Sequence, residues 1–184
     1  MKVYILNRKV LIKASIFLFI AIVLLIAVPI LISSDTAQVF SQKRLLPIYS
    51  VESKDKTASI TFDCAWGAGD IPDILNTLRS EEIKATFFIV GQWAERFPDS
   101  VKMIAAEGHD LANHSYSHLR MGAIDKNRIR SEIAKCGEKL ESISGSKVDL
   151  FRPPYGEYND HVISIARELG YFTIQWNVDT ISIV

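Results

Sequence analysis

From Ala58 to Trp176 the chain alternates short β-like runs with stretches of helical period, and this alternation constrains the fold more than any other feature. Ala58–Asp63, Lys84–Val90, His109–Ala112, Val148–Phe151 and Tyr171–Trp176 read as strands. Between them, Ile71–Ser80 carries Ile71, Ile74, Leu75 and Leu78 at helical spacing. Asp99–Glu107 sets Val101, Ile104 and Ala105 on one side and stops at Gly108. Asp125 can cap a helix running to about Ser144, with Ile129, Ile133, Leu140 and Ile143 inward and Gly145 at its end. Asn159–Leu169 is a further helix, closed by Gly170. Such an alternation requires an α/β class with a parallel sheet, and a barrel-like sheet fits it better than any all-α or all-β class.

The region ahead of this domain is of a different kind. Ala14–Ser34 has no charged residue and is dominated by Ile, Leu, Val, Ala and Phe. As a helix it covers about 30 Å, one hydrocarbon core. Lys2, Arg8, Lys9 and Lys13 precede it, and no acidic residue appears before Asp35. The positive-inside bias then makes residues 1–13 a cytoplasmic N-terminus and residues 14–34 a transmembrane anchor, with the rest of the chain outside the membrane. A cleaved signal segment leading to a secreted protein is the alternative, since it shares the basic start. The run is long for a signal, and SSDTAQ lacks a clean small-x-small site. Residues 35–56 read as a linker without sustained period. The globular part then occupies residues 57–184, enough for one core. The 21 basic and 21 acidic residues balance to zero net charge, which gives no support for nucleic-acid binding. Cys64 and Cys136 make neither a disulfide framework nor a CxxC metal motif.

The chemistry-bearing residues follow the strands. Asp63 ends the first, His114 and His118 follow the third, Arg152 the fourth and Asp179 the fifth. In β/α barrels catalytic groups collect at that edge. On a helical turn, the four-residue spacing of His114 and His118 would put both imidazoles on one face, where they could hold one metal ion. Each residue alone has an ordinary explanation: an Asp at a strand end is often a turn residue, Arg152 a salt-bridge partner, and PPYG a rigid turn. Order and shared edge argue for a site.

TFDCAWG (Thr61–Gly67), HSYSH (His114–His118), RPPYG (Arg152–Gly156) and WNVDT (Trp176–Thr180) resemble, in order, four motifs of the polysaccharide deacetylase family, the NodB-homology carbohydrate esterases. TFD-x-AWG behind an apolar segment is similar to a sporulation-associated, membrane-anchored branch. The resemblance implies a distorted (β/α) barrel, a divalent metal such as Zn²⁺, and hydrolysis of N-acetyl groups on peptidoglycan or chitin-like glycans. It implies that His114 and His118 hold the metal, that Asp63 is the general base toward a metal-activated water, and that Arg152 orients Asp63. A backbone N–H near Tyr155 would hold the oxyanion.

The chain departs from the family pattern in two places. The position after the base, usually a metal-binding Asp, is Cys64; a thiolate is a competent zinc ligand, and an inert buried Cys is the other reading. Asp70 is another candidate. The fourth motif usually continues with Asp-Trp, where Ser182 and Ile183 stand, and a Leu-x-x-His supplying the general acid should follow. Asp179 would then have no His to orient, and the barrel is expected to be truncated, with about five of seven β/α units. A non-catalytic relative that binds glycan without turnover is therefore the alternative function. His109 is expected to be packed, His161 to face solvent, Cys136 to be packing, and Trp66 and Trp93 either to stack on sugar or to pack.

Overall fold

The computed structural model describes residues 8–36 and 44–180. Residues 1–7 of the expected cytoplasmic end, 37–43 of the expected linker, and Ser182 and Ile183 lie outside the described residues. Two units are distinguished, divided after Lys43. The first contains one helix, α1 (Arg8–Thr36). Its 21-residue stretch Arg8–Val28 has a mean hydropathy of 2.9, long and apolar enough to cross a membrane; a signal sequence near an N-terminus has the same character.

In the second unit, β1 (Thr61–Cys64), β2 (Thr86–Ile89), β3 (Asp110–Asn113), β4 (Leu150–Phe151) and β5 (Phe172–Thr173) form one parallel sheet in sequential order. Sequential order with uniform direction is the winding of a barrel wall, since a doubly wound sheet reverses its order at a switch point. Between the strands stand α2 (Ile71–Ser80), α3 (Gly91–Arg96), α4 (Pro98–Ala106), α5 (Lys126–Ser144) and α6 (Asp160–Glu168).

Local chemistry explains most boundaries. α5 starts where the Asp125 carboxylate accepts from the Arg128 backbone N–H, and ends on Gly145 at φ 70°, a left-handed residue that glycine adopts without a Cβ penalty. Asn159 caps α6 in the same manner, accepting from Val162. Strands come out shorter than the apolar runs that announce them, because only residues with a neighbour in register can join the ladder. Two differences are larger. A separate helix, α3, follows β2, because Gly91 opens a helical turn and Pro98 restarts the chain as α4. And the compact unit begins at Arg44 rather than at Thr57. Ile48 donates to the Thr173 carbonyl at 2.8 Å and accepts from Gln175 at 2.8 Å, adding a parallel bridge beyond β5. A lone bridging residue has no period to detect.

Register sorts side chains between the two faces of the sheet. Phe62, Phe87 and Leu111 are aligned, as are Cys64, Ile89 and Asn113. Cys64, Phe87, Ile89 and Leu111 belong to a core with Leu75 and Leu78 of α2, Trp93 of α3, Ile104 of α4 and Leu140 of α5. The intervening row, Asp63, Phe88 and Ala112, points to the opposite face. A second cluster joins Ile129 and Ile133 of α5 to Val162, Ile165 and Ala166 of α6 around Phe151. Phe87 is fully buried and stacks on Phe62 with ring centroids 5.0 Å apart. Phe87→Ala is expected to cost about 3–5 kcal/mol, read as a shift in urea midpoint. Phe172→Ala, at a residue 60% exposed, is expected to stay within about 0.5 kcal/mol.

Candidate active site

The C-terminal strand ends bring Asp63, His114, His118, Arg152 and Tyr155 together. Arg152 follows β4 and is 3% exposed. Its Nη1 donates to Asp63 Oδ1 at 2.6 Å and to Thr61 Oγ1 at 3.0 Å. The guanidinium lies 3.8 Å from the Phe88 ring centroid and 5.4 Å from that of Trp176. A planar, weakly hydrated cation tolerates this aromatic enclosure better than an ammonium would.

His114, 2% exposed, sits 2.8 Å through Nδ1 from the Arg152 carbonyl oxygen. A carbonyl only accepts, so Nδ1 carries the hydrogen and Nε2 keeps its lone pair. Burial pushes the imidazole pKa down to about 4 despite the opposing pull of the Asp63 carboxylate, so the ring is neutral near pH 7. Its Nε2 faces Asp63 Oδ2 at 3.7 Å. Two electron-pair donors thus look at each other with no hydrogen between them. The His118 ring lies 5.1 Å from that of His114 and 4.8 Å from that of Tyr155, and its buried Nδ1 has no hydrogen-bond partner among the described residues. Burial also lowers the His118 pKa.

The His pair is not helical. Residues 114–120 form a loop in which Ser115 (φ 62°) and His118 (φ 56°) are left-handed. The helical-turn explanation of the spacing is therefore replaced by a loop that folds back on itself. Its polar backbone is held from several sides. Ser115 N–H donates to Asn113 Oδ1 at 2.9 Å, Ser117 N–H to Glu132 Oε2 at 2.6 Å, and His118 N–H to Ser115 Oγ at 3.0 Å. The carbonyls of Ser115 and Tyr116 accept from the N–H groups of Gly91 and Gln92, each at 3.0 Å, at the start of α3. Gly91 is required for that approach: a Cβ there would stand 2.5 Å from Tyr116 Cδ2 and 3.2 Å from its Cα.

By donor type the two neutral imidazoles suit a divalent cation, with the Asp63 carboxylate beside His114 Nε2. Cys64 does not join them. It is 7% exposed, lies in the helix-facing core on the face opposite Asp63, and its thiol pKa is pushed up to about 12 by burial and the nearby Asp63 charge. Among the described residues, no group of three His, Cys, Asp or Glu converges as a metal site. Asp70 precedes α2, and Asp179 is exposed in the segment after β5. A cleft of about 310 Å³ opens beside His118 and Tyr155, with Trp66, Gln92, Trp93 and Arg96 among its walls. Trp66 is 77% exposed and edge-on to His118, whereas Trp93 is 2% exposed and donates to the Gly67 carbonyl at 2.7 Å, tying down the β1–α2 loop. His109 accepts from Ala85 N–H at 3.3 Å at the far end of β3, and His161 is exposed on α6.

Asn113 and Glu132 are absent from the residues that the sequence marks for the site, and Gly91 stands there only as the end of a strand. For Glu132 there was a signal: at the same helical spacing as Cys136 and Leu140, it puts a charge on the inward stripe of α5. Gly91→Ala is expected to cost about 1–3 kcal/mol in denaturant unfolding, because Tyr116 backbone must shift. In calorimetric Zn²⁺ titration, Cys64→Ser is expected to match the parent, and an affinity loss would bring the thiol back as a ligand.

Three comparisons bear on this site. The polysaccharide deacetylase family profile matches residues 50–174. A peptidoglycan-N-acetylglucosamine deacetylase of Bacillus cereus is 39% identical over 123 residues, 67% of this chain and 45% of that protein. The peptidoglycan-N-acetylmuramic acid deacetylase PdaA of Bacillus subtilis is 31% identical over 131 residues, 71% of this chain and 50% of that protein. The chain thus spans about half the length of these curated relatives. Among solved structures, wild-type BA3943 of Bacillus anthracis, a CE4 family pseudoenzyme, superposes with a TM-score of 0.72 at 36% identity, covering 74% of this chain and 48% of that one. With the parallel α/β sheet and the motif residues gathered at one edge of it, the profile match makes this chain a member of the polysaccharide deacetylase family.

Proposed function

We propose that the chain carries a metal-dependent deacetylase domain that hydrolyses N-acetyl groups on cell-wall glycan, peptidoglycan or a chitin-like N-acetylglucosamine polymer. The observation that carries this reading is the run Arg152–Asp63–His114, at 2.6 and 3.7 Å, with the Asp63 side chain 38% exposed and with His118, Tyr155 and Trp66 lining a nearby cleft. His114 and His118 would hold the metal, Zn²⁺ by its preference for imidazole, and the ion would supply Lewis acidity and a water acidic enough to be activated near neutral pH. Asp63, held by Arg152, takes the proton of the attacking water. A backbone N–H near Tyr155, where the chain turns left-handed, would stabilise the oxygen that gains charge. The expelled amine needs a proton, and Asp63 is positioned to return the one it received. Trp66 offers an aromatic face to a sugar ring. With α1 as an anchor the domain lies on the outer side of the cell membrane, where the glycan is; with α1 as a cleaved signal it is secreted. The sporulation-associated branch is the family setting that such a segment suits.

Cys64 favours a second reading. Its place in the core leaves two imidazoles and one carboxylate as donors, and BA3943, similar in fold, is a pseudoenzyme. The domain would then bind glycan without turnover. Acetate release from N-acetylglucosamine oligomers and from peptidoglycan, with Zn²⁺ present, separates the two. Release that Asp63→Asn lowers at least about a hundredfold supports the enzyme. Glycan binding with no acetate above the Asp63→Asn background supports the binder. On the membrane side, protease protection of intact cells is expected to find the domain outside on an uncleaved chain, and a soluble product starting after residue 34 would replace the anchor by a signal.

A further inference from the structure

Glu132 is a buried carboxylate that the proposed chemistry does not use. It lies on α5 and is 2% exposed. One oxygen accepts the Ser117 backbone N–H at 2.6 Å, and the other accepts the Ser117 hydroxyl at 2.8 Å. Arg128, one helical turn earlier and half in solvent, reaches Oε1 at 2.8 Å and offsets the charge. A carboxylate that is withdrawn from water carries a desolvation cost, which is met only if its lone pairs are used. Here they are used on one residue of the loop that carries His118.

That loop carries backbone strain. Ser115 and His118 have φ of 62° and 56°, a conformation that side chains with a Cβ adopt at a cost of order 1 kcal/mol or more each. The other ties bear on different points: Asn113 on Ser115, α3 on the carbonyls of Ser115 and Tyr116, and Ser115 Oγ on His118 N–H. Ser117, next to His118, is held through its N–H and hydroxyl by Glu132. We infer that Glu132 is a positioning residue: its carboxylate locks the Ser115–His118 loop in its left-handed form and so aims the His118 imidazole at the ligand position beside His114. The inference rests on the metal reading of the site proposed above, and its primary readout is independent of metal.

The substitution logic follows from the two bonds. Gln at 132 can still accept from Ser117 N–H and can donate to the Ser117 hydroxyl, which then acts as acceptor. Met fills the same volume and supports neither. Amide hydrogen exchange on the full chain in detergent, without metal, compares residues 114–119 with α5 and β2. Glu132→Met is expected to raise exchange in the loop about tenfold or more, leaving α5 and β2 protected. Glu132→Gln is expected to stay near the parent. Unchanged loop exchange in Glu132→Met, or an equal rise in loop, helix and strand, overturns the inference. If Glu132→Met does not fold, Ser117→Ala is read the same way: a smaller rise confined to the loop supports it, and none overturns it. Zn²⁺ calorimetry adds a second readout, with Glu132→Met expected to lose about 10–100-fold in affinity and Glu132→Gln to retain it. Equal binding by the parent and Glu132→Met overturns the positioning role alone. A parent that binds no Zn²⁺ removes the metal reading of the site, and hydrogen exchange still decides whether Glu132 locks the loop.

Discussion

The site depends on one buried guanidinium. Arg152 follows β4, bonds to Thr61 and Asp63 of β1, and stacks on Phe88 of β2 and near Trp176 beyond β5. Its backbone N–H donates to Asn113 of β3 at 2.9 Å, and its carbonyl sets the tautomer of His114. From the end of β4 a single residue therefore contacts β1, β2, β3 and the segment after β5. Removing one partner of a fully buried ion pair costs about 3–5 kcal/mol. The figure is lower here, because Asp63 keeps 38% of its side chain in solvent. The pair is asymmetric: the cation is enclosed and fixed, while the carboxylate it orients stays open to water.

Around that cation the structure separates apolar cover from polar precision. Phe62, Phe87, Leu111 and Cys64 face the helices and hold the sheet, while Asp63 and Phe88 face the other way. The period-two pleat leaves no intermediate choice for consecutive strand residues. For this reason Cys64, next to Asp63 in sequence, lies on the other face of the sheet. The loop that carries His118 is held by hydrogen bonds that Asn113 and Glu132, both buried, accept from its N–H groups, and such bonds are worth most where water is excluded.

The elements that were legible in the sequence are those with a local cause. Ile71–Ser80 is a helix with the bounds its apolar spacing marks, and Asp125 and Gly145 bracket α5 because a cap and a left-handed stop act within one turn. His109 packs and His161 is exposed, as their surroundings in the sequence suggest. The bridge at Ile48 was not legible, since it depends on a partner far along the chain, and α3, six residues long, is too short for a helical period to show.

By itself the sequence determined the α/β alternation, the order of the strands, and which residues would stand at their C-terminal ends. These follow from hydrophobic period and from the rule that parallel strands share a direction. Only the tertiary structure decided how those residues meet. It turned the His114–His118 spacing from a helical turn into a left-handed loop, sent Cys64 into the core, and placed Glu132 of α5 under Ser117. Each of these is settled by contacts between elements far apart in the chain, where packing and buried hydrogen bonds outweigh local preference.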